Sequence, residues 1–189
     1  MSRYRYCRAL PSGGVLGVVE VCGVDDLPAV SDSVSVRRQC EIYSWHSLAR
    51  ELLEDGEAQF SYNEVGAPQI VGSPLYIGVS HSSRFVAVII SPQRAAIDIE
   101  SLDRNFERVA SRYLSAEEAQ LGQDENFLAK VWSIKECAYK FAGRKGLRLL
   151  EDISVTGLND ERFTVTLAGG ESFSGEVVEA LDHVIAFVG

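Results

Sequence analysis

ENFLAKVWSIKECAYKFAG, residues 125–143, is the stretch with the clearest secondary-structure signal in the chain. Its apolar residues recur at helical spacing, which predicts an amphipathic α-helix, and Gly143 suits the left-handed residue that ends a helix. The apolar stripe contains Leu128, Val131, Ile134, Ala138 and Phe141. Because such a stripe is buried only against another layer, we expect this helix to pack on a sheet.

The opposite ridge of this predicted helix carries Trp132, Glu136 and Lys140, spaced by four. Residues four apart lie on the same side of a helix, so an acid, a base and a large aromatic side chain share one ridge. A solvated ridge also carries Glu–Lys pairs, but it rarely includes tryptophan, whose size favours burial. The pattern therefore predicts that this ridge faces another part of the protein or a ligand.

A second charged pattern lies in AAIDIE, residues 95–100, a short apolar run typical of a strand. In a strand Asp98 and Glu100 point to one face, while the isoleucines beside them point to the other. Adjacent carboxylates repel unless a cation lies between them, the strand end is solvated or one carboxyl is protonated. A solvated edge strand is one explanation. The other is a Mg²⁺ site completed by Glu136, because Mg²⁺ prefers oxygen ligands.

A third pattern is GVSHSS, residues 78–83, directly before an apolar strand. His81 amid serines and a glycine suits a loop near an anion, because imidazole and hydroxyl groups donate hydrogen bonds to phosphate. A structural loop histidine would look the same. His183 has no comparable neighbours, so we expect it to be structural.

The remaining segments predict an α+β fold. The predicted elements are a strand in 14–24, a helix in 36–55, a strand at 85–90 forming a hairpin with AAIDIE, a helix start with a Ser115–Glu118 capping box, and an antiparallel meander from residue 151 onward. Their order predicts two similar α+β halves, residues 1–92 and 93–189, that form a pseudo-dimer. Each half is expected to be a helix packed on an antiparallel sheet.

The composition is that of a soluble globular protein. The 189 residues are 46% hydrophobic and 24% charged, enough to bury a core. No apolar run approaches the roughly 20 residues that span a bilayer, and no signal peptide is recognisable, so we expect a cytoplasmic protein without a membrane partner. The four cysteines lack CxxC spacing, which predicts free thiols rather than a zinc site or disulfides.

The formal net charge of −9 argues against non-specific binding to nucleic acid. An anionic ligand must therefore be held by local clusters of cations. Three clusters occur: Arg37 with Arg38, Lys135 with Lys140, and Arg144 with Lys145 and Arg148. The second cluster shares a predicted helix with Glu136, so we expect phosphate oxygens to lie near the carboxylates.

Together these motifs resemble the signature of the 4′-phosphopantetheinyl transferase superfamily. GVSHSS, a strand, AIDIE and, about thirty residues later, WSIKECAYK follow the order and spacing of that family's motifs. The similarity extends from VRRQCEIYSWHSLARELL, residues 36–53, to the end of the sequence. It implies transfer of the 4′-phosphopantetheine arm of coenzyme A to a serine of an acyl or peptidyl carrier protein, with Mg²⁺ required and 3′,5′-ADP released. The chain resembles the family's longer monomers, which consist of two similar halves.

The resemblance also implies catalytic roles for individual residues. Asp98, Glu100 and Glu136 match the metal ligands, and Glu136 is also the candidate base for the carrier serine. Lys140 matches the lysine that contacts the pyrophosphate. In phosphoryl transfer Mg²⁺ and a lysine neutralise charge on the leaving group.

Coenzyme A binding is implied for a second set of residues. Ser80 and His81 match the element that holds the 3′-phosphate, and Lys135 matches the motif lysine beside the acid. The family often has a basic residue where this chain has Ala67, and an arginine where it has His46. Arg37 and Arg38 are the cations expected to compensate for these two losses.

Two other functions remain open from the sequence. A degenerate family member would bind coenzyme A or a carrier protein without turnover, as Ala67 and His46 suggest. An unrelated Mg²⁺-dependent phosphohydrolase would release phosphate without a carrier. Arg104, Arg108 and Arg112, spaced by four, predict a basic stripe on one helical face that docks an acidic carrier protein, although a solvated arginine face would look identical.

Overall fold

The computed structural model describes residues 5–30 and 33–189 and shows an α+β fold built on antiparallel sheets. The strands are β1 (Tyr6–Ala9), β2 (Val15–Glu20), β3 (Phe60–Tyr62), β4 (Pro68–Ile70), β5 (Tyr76–His81), β6 (Phe85–Ser91), β7 (Ala96–Ser101), β8 (Ile153–Asn159), β9 (Arg162–Leu167), β10 (Ser172–Ala180) and β11 (His183–Val188). The helices are α1 (Val36–Leu53) and α2 (Phe127–Ala142), with 3₁₀ turns at Val24–Asp26, Glu107–Arg112 and Glu118–Gln120. The predicted α+β class and C-terminal meander are confirmed.

The strands form two main sheets, and one helix packs on each. The first sheet has the order β1-β2-β6-β5, the second has the order β7-β11-β10-β9-β8, and β3 pairs with β4 alone. Helix α1 packs on β2 and β6, and α2 packs on β7, β11 and β8. Apolar clusters separate four layers, which are α1, the first sheet, the second sheet and α2. The similarity of the two halves and a boundary at residue 92 stay predictions.

Helix α1 begins and ends close to the predicted positions. The Ser35 hydroxyl accepts a hydrogen bond from the backbone N–H of Arg38 (3.3 Å), which caps the N-terminus. The helix ends just before Glu54, whose φ of 54° lies in the left-handed region. On the sheet side, a Cβ at Gly17 of β2 would come within 3.1 Å of the Leu48 side chain. Glycine at this position therefore lets the helix approach the sheet closely.

Helix α2 confirms the predicted amphipathic segment. Val131, Ile134 and Ala138 from the apolar stripe are fully buried, while the two ends of the stripe are partly buried at the margin of the core. Gly143 follows the helix with a φ of 61°, as its sequence position predicts. The stripe therefore packs against the second sheet and leaves the opposite ridge to other contacts.

The structure bears on the predictions made from the cysteine spacing and from the apolar runs. All four cysteines carry free thiols; Cys7 is exposed, Cys22 is half-buried, and Cys40 and Cys137 are buried. Within residues 5–30 and 33–189, no helix has the length and apolar character needed to cross a bilayer.

The predicted hairpin between the strands at 85–90 and 95–100 is wrong. Strand β6 pairs with β2 and β5 in the first sheet, whereas β7 pairs with β11 in the second. Every residue of β6 is buried, because it is a central strand covered on both faces, and such a strand has a neighbour on each edge. Ile89 of β6 and Ile97 of β7 instead meet in the apolar layer between the sheets. The chain between the two strands therefore crosses from one layer to the next.

The predicted helix after Ser115 is only a short 3₁₀ turn. The capping box itself is present: Glu118 Oε2 accepts a hydrogen bond from the Ser115 N–H (2.8 Å), and Ser115 Oγ accepts one from the Glu118 N–H (3.2 Å). Glu118 Oε1 also accepts a hydrogen bond from the Val155 N–H of β8 (2.8 Å). The glutamate therefore ties the turn to the second sheet.

The predicted arginine stripe does not form one helical face. Arg108 and Arg112 lie in the 3₁₀ turn Glu107–Arg112, and Arg104 precedes it. A 3₁₀ helix has about three residues per turn, so residues four apart do not share a face. Arg104 instead donates a hydrogen bond to Glu100 (2.8 Å). The prediction of a single basic helical stripe is wrong.

Lys135 of α2 is part of the core. Its side chain is 0% exposed, and its Nζ donates hydrogen bonds to the Glu118 carboxylate (2.8 Å), the Leu149 carbonyl (2.9 Å) and the Tyr113 carbonyl. Burial lowers the pKa of Lys135, and the Glu118 carboxylate opposes that shift. The ammonium group therefore joins three chain segments around the buried face of α2.

Replacing Lys135 by methionine should lower the free energy of unfolding by about 3–5 kcal/mol, because Glu118 would remain as a buried charge without its cation. Urea denaturation followed by circular dichroism measures this change. Lys145 is exposed, and its Nζ donates a hydrogen bond to the Glu64 carbonyl (3.1 Å). Its methionine variant is the matched control and should change stability by less than about 0.5 kcal/mol. Equal stability of Lys135→Met and the wild type would contradict a structural role.

Candidate active site

Some of the predicted site residues meet where β5, β7 and α2 come together. Strand β7 contacts both β5 of the first sheet and α2, although it pairs with neither. Ser80 comes from β5, Asp98 from β7, and Glu136 and Lys140 from α2. The site therefore lies at the seam between the two sheets.

Asp98 is the most enclosed carboxylate of this seam and is only 4% exposed. Its Oδ1 accepts hydrogen bonds from Lys140 Nζ (2.7 Å) and Ser80 Oγ (3.0 Å). Its Oδ2 accepts one from Ser133 Oγ (2.9 Å). A buried carboxylate is tolerated when it is paired and hydrogen-bonded, and Asp98 meets both conditions.

Glu100 lies two residues along the same strand face and is held by a second cation. Its Oε1 accepts hydrogen bonds from the Trp132 indole N–H (2.8 Å) and from Arg104 Nη1 (2.8 Å). The Arg104 guanidinium also lies over the Trp132 ring, 4.5 Å from its centroid, and Tyr113 packs edge-on against the same ring. The prediction that the Trp132 ridge faces another part of the protein is confirmed.

Glu136 completes the group of three carboxylates, but it differs from the other two. In the described part of the chain its carboxylate has no hydrogen-bond or ion-pair partner. Burial raises its pKa, and the negative charges of Asp98 and Glu100 raise it further, while Lys140 opposes the shift. Glu136 is therefore a partly buried acid whose neighbours favour its protonated form.

The carboxylates are not arranged as a ready-made metal cage. Across the described ranges, no three His, Cys, Asp or Glu side chains converge closely enough to hold a metal ion. Instead Lys140 neutralises Asp98, and Arg104 neutralises Glu100. The donor chemistry nevertheless fits Mg²⁺, because all three side chains offer oxygen atoms and Glu136 has no other partner within residues 5–30 and 33–189.

His81 lies in a different cluster from Ser80. Its Nε2 is 3.4 Å from Arg38 Nη1 and 3.5 Å from Glu41 Oε2, and Arg37 pairs with the same glutamate (3.0 Å). Burial lowers the pKa of His81, Glu41 opposes that shift, and the nearby cations add to it. Successive residues of a strand point to opposite faces, which explains why Ser80 turns to Asp98 and His81 turns to α1.

A cavity of about 260 Å³ opens beside Lys140. Arg144 and Lys145 also line it, together with Ala67 and the edge of β5 at Gly78. A larger cavity of about 340 Å³ lies on the second sheet, along β8 to β10, and contains none of the predicted site residues. The smaller cavity is therefore the relevant one, because it adjoins the ion pair and carries three cations.

Asp98, Glu136 and Lys140 lie in the part of the chain that matches a known family, whereas Ser80 precedes that part. The family model of the 4′-phosphopantetheinyl transferase superfamily matches residues 94–188, which are half of the chain. The chain belongs to this superfamily. It is also 29% identical over 126 residues to a 4′-phosphopantetheinyl transferase of Bacillus subtilis, in a match that covers 62% of this chain and 56% of that protein. The chain thus spans little more than half the length of that relative.

Two residues bear on how this superfamily member differs from the expected pattern. His46 is partly buried between Trp45 (4.0 Å between ring centroids) and Phe60 (5.0 Å). Burial lowers its pKa to about 4, so it carries no charge at neutral pH. Ala67 lines the cavity beside Lys140 without adding a cation. Arg144 and Lys145 line the same cavity as Ala67, and the sequence pattern alone did not connect these two cations with Ala67.

Three other residues of this superfamily member lie in environments that their sequence positions predict only in part. His183 is buried at 3% exposure; its Nδ1 lies 2.8 Å from the Leu181 carbonyl and its Nε2 2.9 Å from Ser82 Oγ, as suits a structural residue. Lys135 is not brought to the seam. Ser133 was not singled out, because only the folded structure shows that it contacts Asp98.

Replacing Glu136 by glutamine should stabilise this superfamily member at neutral pH. A raised carboxyl pKa in the folded state means that ionisation of Glu136 costs stability above that pKa, and the cost disappears when the pH falls below the unfolded value. Glu136→Gln should therefore melt above the wild type at pH 7.5 in EDTA, and the difference should vanish near pH 4. Exposed Glu57 provides the control variant Glu57→Gln. A difference that does not change with pH would contradict the shifted pKa.

Proposed function

We propose that this chain transfers the 4′-phosphopantetheine arm of coenzyme A to a serine of an apo acyl or peptidyl carrier protein, in a Mg²⁺-dependent reaction that releases 3′,5′-ADP. The observation that carries the proposal is the carboxylate of Glu136, which lies near the Asp98–Lys140 ion pair and has no partner in the described part of the chain. An acid with a raised pKa, a lysine and a cation-lined cavity in one place are what proton removal and phosphate transfer require. Family membership supports the same reaction.

Asp98, Glu100 and Glu136 would hold the Mg²⁺ ion. Each supplies carboxylate oxygen, and Mg²⁺ usually binds one or two carboxylates together with ligand phosphates and water. When bound, the ion would neutralise charge on the pyrophosphate. Lys140 pairs with Asp98, and Arg104 pairs with Glu100. Both cations would therefore compete with Mg²⁺ for these carboxylate oxygen atoms.

The protein residues would carry out proton transfer and charge stabilisation. Glu136 would accept the proton of the carrier serine, because among the described residues its carboxylate has no hydrogen-bond or ion-pair partner that occupies its oxygen atoms. The serine oxygen then bonds to the phosphorus that carries the pantetheine arm. The bond from that phosphorus to the bridging oxygen of the adenosine phosphate breaks. Lys140, whose Nζ already contacts a carboxylate, would stabilise the negative charge of the departing phosphate.

The nucleotide part of coenzyme A would bind on the α1 side of the seam. His81, Arg37 and Arg38 form a cluster there, with Glu41 holding the two arginines. Arginine and imidazole N–H groups suit a phosphate such as the 3′-phosphate of coenzyme A. A contact by Ser80 with that phosphate stays a prediction, because its hydroxyl is engaged with Asp98 and Lys140. Lys135 is too deeply buried for the coenzyme A contact that its motif position suggests.

One copy of the chain could supply all the residues of the proposed reaction. Ser80, Asp98 and Lys140 come from three different elements of the same molecule, and no second copy is needed to bring them together. This supports the proposal of a monomer whose two sheet-and-helix halves form a pseudo-dimer around one site. Because coenzyme A and carrier proteins are its proposed partners, the proposed location is the cytoplasm.

A degenerate protein that binds coenzyme A without turnover is the second candidate. Ala67 contributes no charge, and His46 is neutral and packs edge-on against Trp45 and tilted against Phe60. Both observations point to weaker nucleotide binding than in a member with cations at these positions. Asp98, Glu136 and Lys140, however, are all present in the chain. Their presence favours the transferase over the degenerate binder.

Intact-protein mass spectrometry of an apo acyl carrier protein, incubated with the chain, coenzyme A and Mg²⁺, tests the proposal. We expect a mass gain of one phosphopantetheine that EDTA prevents. Glu136→Gln should slow the reaction by about 10²–10⁴-fold, the contribution typical of a general base. Glu57→Gln is the matched control, because Glu57 is exposed and outside the seam, and it should react at the wild-type rate.

The possible outcomes separate the candidates. No mass gain with several acyl and peptidyl carrier proteins, combined with measurable coenzyme A binding, would favour the degenerate binder. Phosphate release in the absence of a carrier would favour a phosphohydrolase. Wild-type activity of Glu136→Gln would remove Glu136 from the proposed chemistry even if the transfer itself occurs.

A further inference from the structure

Ser133 is the one side chain bound to Asp98 that the proposed function leaves without a role. It lies on α2 between Trp132 and Ile134, and it is 0% exposed. Its Oγ donates a hydrogen bond to Asp98 Oδ2 (2.9 Å). A buried helical serine commonly donates to a backbone carbonyl of the preceding turn, so a hydrogen bond to a strand carboxylate is a specific tertiary contact.

The three hydrogen bonds to Asp98 divide unequally between its oxygen atoms. Oδ1 accepts from both Lys140 Nζ (2.7 Å) and Ser80 Oγ (3.0 Å), whereas among the described residues Oδ2 accepts from Ser133 Oγ alone (2.9 Å). A carboxylate has about four acceptor directions, so the remaining direction is on Oδ2. The Ser133 bond therefore fixes the direction in which the last acceptor position of Asp98 points.

The Ser133 contact is not needed to neutralise Asp98. Lys140 already supplies a positive charge, and Ser80 already supplies a neutral donor. Lys140 is also the more exposed partner, since a third of its side chain is exposed while Ser133 is fully buried. If Lys140 turns to a phosphate, Ser133 and Ser80 are the donors that keep the Asp98 carboxylate in place.

We propose that Ser133 is a positioning residue that orients Oδ2 of Asp98 for a divalent cation. This inference rests on the proposed function, because it takes Asp98 as a metal ligand. Hydrogen bonds from surrounding side chains to a metal-binding carboxylate orient the ligand, and removing one typically weakens metal binding about 10–100-fold. Ser133 acts through Asp98 and touches neither the substrate nor the reacting atoms.

Binding of Mn²⁺, used as a paramagnetic probe for the Mg²⁺ site, tests the inference without turnover. Free Mn²⁺ is counted by electron paramagnetic resonance while the full chain is titrated in the presence of coenzyme A and without a carrier protein. For Ser133→Ala we expect Mn²⁺ affinity to fall about 10–100-fold. Coenzyme A affinity measured in EDTA should stay within about twofold of wild type, because Ser133 does not face the cation-lined cavity.

Three further variants separate positioning from packing. Ser133→Thr keeps the hydroxyl and should restore most of the Mn²⁺ affinity. Ser91 is also 0% exposed, but its Oγ accepts a bond from the Gln93 N–H, away from Asp98. Ser91→Ala is therefore the matched control, with wild-type Mn²⁺ affinity expected. If Ser133→Ala does not fold, Ser133→Cys keeps the side-chain volume with a weaker donor and should still bind Mn²⁺ more weakly than wild type.

The results distinguish this inference from the proposed function. Unchanged Mn²⁺ affinity in Ser133→Ala or Ser133→Cys, while the wild type binds Mn²⁺ and modifies a carrier protein, would overturn the positioning role alone. The same loss in Ser91→Ala would show a general packing effect and would also overturn it. A wild type that binds coenzyme A but no Mn²⁺ would overturn the metal site and this inference together.

Discussion

The ion pair between Asp98 and Lys140 is the interaction on which the arrangement of the site depends. A carboxylate that is 4% exposed must have a cation and hydrogen-bond donors close by, or its burial would cost several kcal/mol. Here the cation comes from α2, and the donors come from α2 and β5. One buried charge on β7 therefore links α2 to the first sheet. At this seam, donors from both layers reach the same carboxylate.

The two motif lysines of α2 show how helical position separates stability from function. Lys135 and Lys140 are five residues apart, which places them on different sides of the helix. Lys135 points into the core and satisfies Glu118 and two backbone carbonyls, with no exposed surface. Lys140 points to the seam, where a third of its side chain is exposed beside a cavity. One short motif thus contains a residue that holds the fold and another that is available to a ligand.

The carboxylate of Glu136 differs from the other two carboxylates of the seam, which are paired with cations. Asp98 and Glu100 each have a cation and at least one further donor, while Glu136 is partly buried and has neither among the described residues. The resulting rise in pKa is a local loss of stability. Such losses persist where they serve function, because a group that is fully satisfied by the protein has little left to offer a substrate or metal ion. The electrostatic conflict among the three carboxylates is therefore the strongest physical sign that the seam has a chemical role.

Four features could be predicted from the chain alone: α2, its end at Gly143, the shared face of Asp98 and Glu100, and the ridge of Trp132, Glu136 and Lys140. These depend on periodicities of 3.6 and 2 residues, which are local properties of the chain. Strand pairing was decided only by the tertiary structure: the apolar runs of β6 and β7 are adjacent in sequence but bury their faces in different sheets. The partners of Lys135, Ser80 and Ser133 were decided in the same way, because each lies far away in sequence and is brought close only by packing. Local pattern predicts which side chains share a face, whereas the layers that cover that face determine what those side chains bind.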